Sequence, residues 1–264
     1  MIVAGVQHDI AWADRGANFA RLAPKIAAAA AAGADVVLLT ETFSTGFGFT
    51  EPGFEPEPEG GPSAQFLAAQ AREHGVWVGG SCPEVQPGNT LPSNSFVLAG
   101  PDGTQHRYRK IHPFSHAGEE RFVAAGDELV TVEIGNATGQ RLRISMFVCY
   151  DLRFADEFWQ LADGTDVYLV PANWPARRRE HWTALLRARA IENQAYVVGV
   201  NRVGTAPSSE GGNTLEYSGD SLIVDPLGQV LASASQVETT IVADVSAEVV
   251  ADVRAKFRFL QDRR

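Results

Sequence analysis

Short apolar runs that end abruptly in polar or turn-forming residues recur along this chain, and stretches of helical composition separate many of them. The pattern predicts a strand over 2–8 and a helix over 17–32. The Ala28–Ala32 run favours that helix, and Gly33 suits its C-terminal stop. A strand over 35–40 runs into Glu41. Residues 51–62, rich in Glu, Pro and Gly, read as a surface loop. A helix over 63–73 follows, with Ser63 as its N-cap, then a short strand over 76–81. Strands 95–99 and 105–109 flank Gly100-Pro101-Asp102-Gly103, a strong hairpin signal. An apolar strand beginning at Ile144 ends at Cys149. A helix near 155–162, a strand over 166–171, a long helix over 178–194 and a strand over 196–201 come next. A hairpin over 219–233 turns at Asp225-Pro226-Leu227-Gly228, and a strand over 241–245 precedes a last helix over 246–257. Gly204–Asn213, rich in Ser, Gly and Pro, is the stretch expected to be disordered.

Helices that alternate with strands, with hairpins interspersed, predict an α/β fold with a mixed sheet. The strands are numerous enough for two sheets packed face to face with helices outside. No internal repeat or linker divides the chain, so one domain is expected over 1–264. Hydrophobic residues make up 45% of the chain, ample for a large core. The net charge of −10 argues against a nucleic-acid footprint and against a polybasic membrane patch. No apolar run is long enough to span a bilayer, and the start Met1-Ile2-Val3-Ala4-Gly5-Val6 reads as a strand, not a basic leader. Two cysteines, Cys82 and Cys149, make no disulfide framework, so the expectation is a free thiol in the cytoplasm.

Three predicted elements end in reactive side chains: Glu41, Lys110 after Tyr108-Arg109, and Cys149. Active groups in α/β folds gather at the C-terminal ends of strands. A thiol needs a proton acceptor to become a strong nucleophile, and a carboxylate such as Glu41 can serve and can later activate water. An ammonium such as Lys110 can hold an oxyanion, and the backbone N–H of Tyr150 can supply a second donor. Spacing alone leaves bland alternatives open. A Cys after an apolar run is commonly a small core residue. Glu41 can merely pair at a sheet end, and Lys110 can be one exposed charge beside Arg107 and Arg109. Cys82, followed by Pro83, reads as structural. His112 and His116 are four apart, but Pro113 breaks any helix between them and no third ligand is near, so no metal is expected. No phosphate-binding glycine motif and no G-x-S-x-G elbow is present.

The segments Leu38-Leu39-Thr40-Glu41-Thr42-Phe43, Tyr108-Arg109-Lys110-Ile111-His112 and Val148-Cys149-Tyr150-Asp151-Leu152-Arg153-Phe154 resemble those of the nitrilase superfamily of carbon–nitrogen hydrolases, and the resemblance covers essentially the whole chain. It implies a four-layer α-β-β-α sandwich of two mixed sheets, a Glu41–Lys110–Cys149 catalytic triad, no cofactor and a homodimer. It also implies a second glutamate a few residues after the lysine. Glu119 and Glu120 both fit, and spacing from Lys110 favours Glu119. Longer strings, including Pro171-Ala172-Asn173-Trp174-Pro175-Ala176 and Tyr217-Ser218-Gly219-Asp220-Ser221, are similar to bacterial omega-amidases, which release ammonia from the terminal amides of 2-oxoglutaramate and 2-oxosuccinamate. Arg177-Arg178-Arg179 is more basic than that resemblance implies.

Such a substrate carries a carboxylate at one end, and an acidic protein must concentrate positive charge locally to bind it. Arg178, at the start of the long helix, can clamp it in a bidentate fork. A surface or dimer-interface role for Arg178 stands equally open. Arg153 is the other candidate, although a pair with Asp151 or Glu157 reads better for it. Asn173 and Trp174 follow a strand end and are expected to line the pocket, while His181 and Trp182 are expected to pack. Phe43, Phe47 and Phe49 wall the pocket or anchor the loop after Glu41. Rival activities are those of an N-carbamoyl-amino-acid hydrolase, a deaminated-glutathione amidase or a nitrilase; a non-catalytic interaction protein of the same fold is more distant.

Overall fold

The structure, a computed structural model, describes residues 1–51, 54–207 and 214–263, with the backbone alone at 49 and 50. The order of elements is β1 (Ile2–Gln7), α1 (Arg15–Ala31), β2 (Val36–Leu38), β3 (Glu57–Pro58), α2 (Pro62–His74), β4 (Trp77–Val85), β5 (Ser93–Ala99), β6 (Gln105–Arg109), β7 (Thr131–Gly135), β8 (Arg141–Met146), α3 (Ala155–Leu161), β9 (Val167–Ala172), α4 (Arg179–Asn193), β10 (Tyr196–Asn201), β11 (Val203–Pro207), β12 (Thr214–Val224), β13 (Val230–Ser235), β14 (Thr239–Asp244) and α5 (Ala247–Lys256). Among the described residues the strands form two seven-stranded sheets. One runs β14-β1-β2-β4-β5-β6, with β3 also on β4. The other runs β11-β12-β10-β9-β8-β7, with β13 also on β12. Both mix parallel and antiparallel pairs, and β1-β2-β4 and β8-β9-β10 are the parallel cores.

Side chains of a strand point alternately to the two faces of its sheet, so a strand covered on both faces must be apolar throughout. The first sheet follows this rule. Val3, Val36, Leu38, Phe96 and Leu98 face the second sheet, while Ala4, Val6, Val37, Leu39, Val78 and Val97 face Leu22 and Ile26 of α1 and Leu67 and Ala71 of α2. The far sheet is covered by α3 and α4 through Phe158, Trp182 and Leu186. The architecture is therefore a four-layer α-β-β-α sandwich. Two glycines allow close approaches between its layers. A Cβ on Gly5 would lie 2.6 Å from Val200 of the opposite sheet, and one on Gly199 would lie 2.5 Å from Leu186 of α4.

Several boundaries differ from the sequence reading for physical reasons. Glu57, not Ser63, caps α2: its carboxylate accepts the Ser63 N–H at 2.7 Å and the Ser63 hydroxyl at 2.7 Å. The short strand β3 lies inside the stretch read as loop. β7 is absent from the pattern because it is an edge strand with Thr131, Glu133 and Gly135 exposed. β11 occupies the start of the stretch expected to be disordered, paired along β12 from Val203↔Ser218 to Pro207↔Thr214; residues 208–213 of that stretch lie outside the described residues.

Candidate active site

The site forms where β2, β6, β8 and β9 all end, at one edge of the two stacked sheets. β8 delivers Phe147-Val148 and then breaks into the 3₁₀ turn Cys149–Arg153. Cys149 takes a positive φ of 47°, a conformation that L side chains rarely adopt. Asp151 holds this turn. Its carboxylate accepts the Val148 N–H at 2.9 Å, the Tyr108 hydroxyl at 2.8 Å and the His112 N–H at 2.9 Å. Tyr108 and His112 bracket Lys110, so one buried carboxylate ties the thiol's turn to the lysine's strand end. Arg189 of α4 braces the turn from behind, donating to the Leu152 carbonyl at 2.8 Å.

The charged groups converge in the dry interior. Glu41 is fully buried and Lys110 is 1% exposed. Lys110 Nζ donates to Glu41 Oε1 and to Glu119 Oε2, each at 2.8 Å. Burial alone would depress the lysine's pKa, but the charges of Glu119 and Glu41 outweigh it and hold the ammonium well above its ordinary value. Of the two candidate glutamates, Glu119 is buried against Lys110, whereas Glu120 is exposed. Glu41 Oε2 accepts the Asn173 N–H at 2.8 Å, and Asn173 Nδ2 donates to the Glu41 carbonyl at 3.1 Å and to Thr42 Oγ1 at 2.8 Å. Burial, then the Glu41 charge, pushes the Cys149 thiol well up, against the Lys110 charge and the Asn173 N–H. The resting thiol is therefore neutral and needs a base. The Tyr150 N–H sits in the first turn of a 3₁₀ segment, where N–H groups have no partner within the turn.

A pocket opens over this centre. Cys149, Lys110, Glu119, Asn173, Tyr150, Trp174, Arg153 and Arg178 all line it, together with Phe47, Phe114 and Tyr217. Arg178, half-buried in the pocket lining, lies over the Phe114 ring, 5.0 Å from its centroid. Burial, then the neighbouring charges of Arg177 and Arg153, lower its pKa, so this guanidinium is a cation in want of an anion. Arg153 lies 4.7 Å over the Trp174 ring and donates to His181 Nδ1 at 3.2 Å. It does not pair as the sequence suggested, because Asp151 is consumed by the turn and Glu157 bonds His112 at 2.8 Å. Trp174 is pinned by its indole N–H, which donates to the Arg178 carbonyl at 2.8 Å.

Phe43 is a correction. It is fully buried against Phe19 and Phe66 beneath the first sheet and takes no part in the pocket; Phe47 forms the wall instead. The positive φ of Thr42 (42°) turns the chain straight after Glu41 and sends the next side chain into the core. The side chain of Phe49 lies outside the described residues. Trp182 packs under Trp174 with ring centroids 5.5 Å apart, as expected of it. Among the described residues no cluster of His, Cys, Asp and Glu has the make-up of a metal site, and no helix is long and apolar enough to cross a membrane. Asn94 and Phe114 escaped the sequence reading, Asn94 because it opens β5 as an ordinary strand start and Phe114 because its segment has no signal of its own; Tyr217 lay in a quoted string but was given no place in the pocket.

The sequence and the fold both have counterparts among known proteins. The profile of the carbon–nitrogen hydrolases matches residues 2–255. The chain belongs to that family. This carbon–nitrogen hydrolase is 36% identical over 259 residues to the omega-amidase YafV of Escherichia coli strain K12, a match that covers 97% of the chain and 94% of that relative. It is 30% identical over 234 residues to the 2-oxoglutaramate amidase of Bacillus subtilis strain 168, covering 88% and 85%. Among solved structures it superposes on XC1258 of Xanthomonas campestris, a CN-hydrolase superfamily protein with an arsenic adduct in its active site. The TM-score is 0.86 at 32% identity, over 100% of this chain and 97% of that one. The hydrolase acts on non-peptide carbon–nitrogen bonds, as the family does.

Proposed function

We propose that this hydrolase is a thiol-dependent omega-amidase that cleaves the terminal amide of small 2-oxo dicarboxylic acid amides, 2-oxoglutaramate or 2-oxosuccinamate, to a carboxylate and ammonia. The observation that carries the reading is the pairing of a buried Glu41–Lys110–Cys149 centre with a pocket whose lining includes Arg178 and Arg153. The names of the relatives, an omega-amidase and a 2-oxoglutaramate amidase, support the same substrate class.

In this reading Glu41 takes the Cys149 proton as the sulfur attacks the amide carbon. The carbonyl oxygen becomes an oxyanion held by the Lys110 ammonium and the Tyr150 N–H. Glu41 returns its proton to the leaving nitrogen, ammonia departs, and a thioester remains on Cys149. Glu41 then deprotonates a water that attacks the thioester, and the collapsing intermediate releases the acid and restores the thiol. Glu119 keeps Lys110 charged and aimed. At the far end Arg178 takes the substrate carboxylate, and Asn173 and Trp174 complete the wall. No step needs a cofactor. The reading keeps the expectations of one domain over 1–264 and of a homodimer in the cytoplasm.

Ammonia release from 2-oxoglutaramate by wild type beside Cys149→Ala tests it. Release by wild type, and loss of at least about a thousandfold in a folded Cys149→Ala, is the expected result. Turnover by the variant would remove Cys149 from the mechanism, and no release by either protein would remove the substrate.

A further inference from the structure

Asn94 touches Glu41, Glu119 and Lys110 of the buried centre. It is the second residue of β5, 1% exposed and paired opposite Pro83 of β4. Its backbone carbonyl accepts the Lys110 N–H at 3.0 Å. Its side-chain Nδ2 donates to Glu41 Oε1 at 2.9 Å and to Glu119 Oε1 at 3.2 Å. Lys110 Nζ bridges the same two carboxylates. Two donors therefore link the pair, one charged and one neutral. The hydrogen-bond network itself fixes which way the amide points, since the reverse orientation would aim Oδ1 at two carboxylate oxygens.

Two features set this amide apart from ordinary packing. Asn94 Oδ1 is buried and has no hydrogen-bond partner among the described residues. Leaving a buried carbonyl unpaired costs free energy, and a smaller or apolar residue would avoid that cost. What the side chain offers in return is on the other side, in its two N–H groups. The second feature is charge. Two carboxylates share one ammonium in a dry site, so each further N–H that reaches them offsets part of their mutual repulsion. A protonated Glu41 cannot take the proton of Cys149. With Oε1 occupied by Lys110 and Asn94, Oε2 is left on the side of Asn173 N–H, the group that also bears on the thiol.

We propose that Asn94 is a positioning residue of the hydrolytic site: its amide bridges Glu41 and Glu119, keeps both as ionised acceptors, and turns Glu41 Oε2 toward Cys149. The assignment rests on the thiol mechanism above. It acts on the chemical step, because Asn94 stands behind the carboxylates and not in the pocket wall.

The test is the pH profile of kcat/KM for 2-oxoglutaramate in Asn94→Ala and in the near-isosteric Asn94→Asp, which supplies no N–H and adds a third carboxylate. A carboxylate that loses a donor holds its proton more tightly. Asn94→Ala should lower kcat about tenfold or more, leave KM within about threefold, and move the acid limb to higher pH by about one unit. Asn94→Asp should move it further. An acid limb that stays put in a folded Asn94→Ala overturns the proposal, whether or not kcat falls, because a packing defect alone lowers kcat without moving it. Asn94→Ser, with a shorter donor, carries the same test if the other two fail to fold. Loss of the fold in all three contradicts the proposal, since the residue would then serve the fold and not the chemistry. Cys149→Ala in the same assay separates the two claims. Turnover there sinks the thiol mechanism, whereas an inactive Cys149→Ala beside an unmoved Asn94→Ala sinks the Asn94 assignment alone.

Discussion

At the scale of the residue, the site sets a buried thiol beside a carboxylate, Glu41, that is already committed to three donors. Such a centre depends on charges supplied by neighbours, and the same holds for substrate binding. Arg178 is crowded by Arg177 and Arg153 and lacks a carboxylate partner among the contacts described here. An anionic substrate relieves that crowding, and an uncharged amide does not. Arg178→Ala should therefore raise KM for 2-oxoglutaramate by about tenfold to a hundredfold, the ~1.5–3 kcal/mol of a charge-assisted hydrogen bond, while changing KM for a short uncharged amide little. Steady-state kinetics on both substrates decide it, and equal effects would sink the clamp. Glu41, Lys110 and Cys149 were legible because each ends a run whose apolar pattern marks a strand. Asn94 was not, because its partners lie 53 and 25 positions away and Ser-Asn-Ser resembles any strand start. Phe43 misled for a related reason: a residue just after a catalytic-looking glutamate invites a pocket role, and only the backbone turn at Thr42 reveals that it points the other way.

At the scale of the element, parallel strands buried on both faces are the most readable part of the chain, and edge strands the least. β1, β2, β9 and β10 are near-continuous apolar runs and were found; β7 and β11 present polar or turn-rich sequence and owe their conformation to the neighbour that pairs with them. The ends of β1 and β2 also carry a consequence for acid stability. His8, just past β1, is 1% exposed, bonds Thr40 past the end of β2 at 2.9 Å and the Asp9 carbonyl at 3.0 Å, and has its pKa lowered by burial from 6.5 to about 4. Between those values the unfolded chain binds the proton and the folded one does not. Stability is therefore lost as pH falls from about 6.5 toward about 4, by about 3 kcal/mol over the window. Burial raises Asp151 from 3.8 to about 6, which acts in the opposite sense, so the informative quantity is the difference between proteins. Urea unfolding across pH 4.5–7 should give a shallower loss in His8→Gln than in wild type. Parallel curves would show that His8 does not carry the effect.

At the scale of the whole molecule, the sandwich brings four strand ends from two sheets to one edge and closes the gap between sheets with Gly5 against Val200. The thiol and Asn173 come from the second sheet, while Glu41, Asn94 and Lys110 come from the first. The site is therefore a product of sheet-on-sheet packing. The number of strands hinted at two sheets, and the three quoted motifs carried the resemblance, but the pattern alone does not say which strand ends meet. In the proposed mechanism Cys149 carries the acyl group during turnover. The most direct measurement is acid quenching of wild type with 2-oxoglutaramate within the first turnovers, followed by peptide mass spectrometry. The peptide holding Cys149 should gain the mass of the substrate less ammonia, while the peptide holding Cys82 and the Cys149→Ala protein should gain nothing. Ammonia released in a burst with Cys149 unmodified would contradict that mechanism.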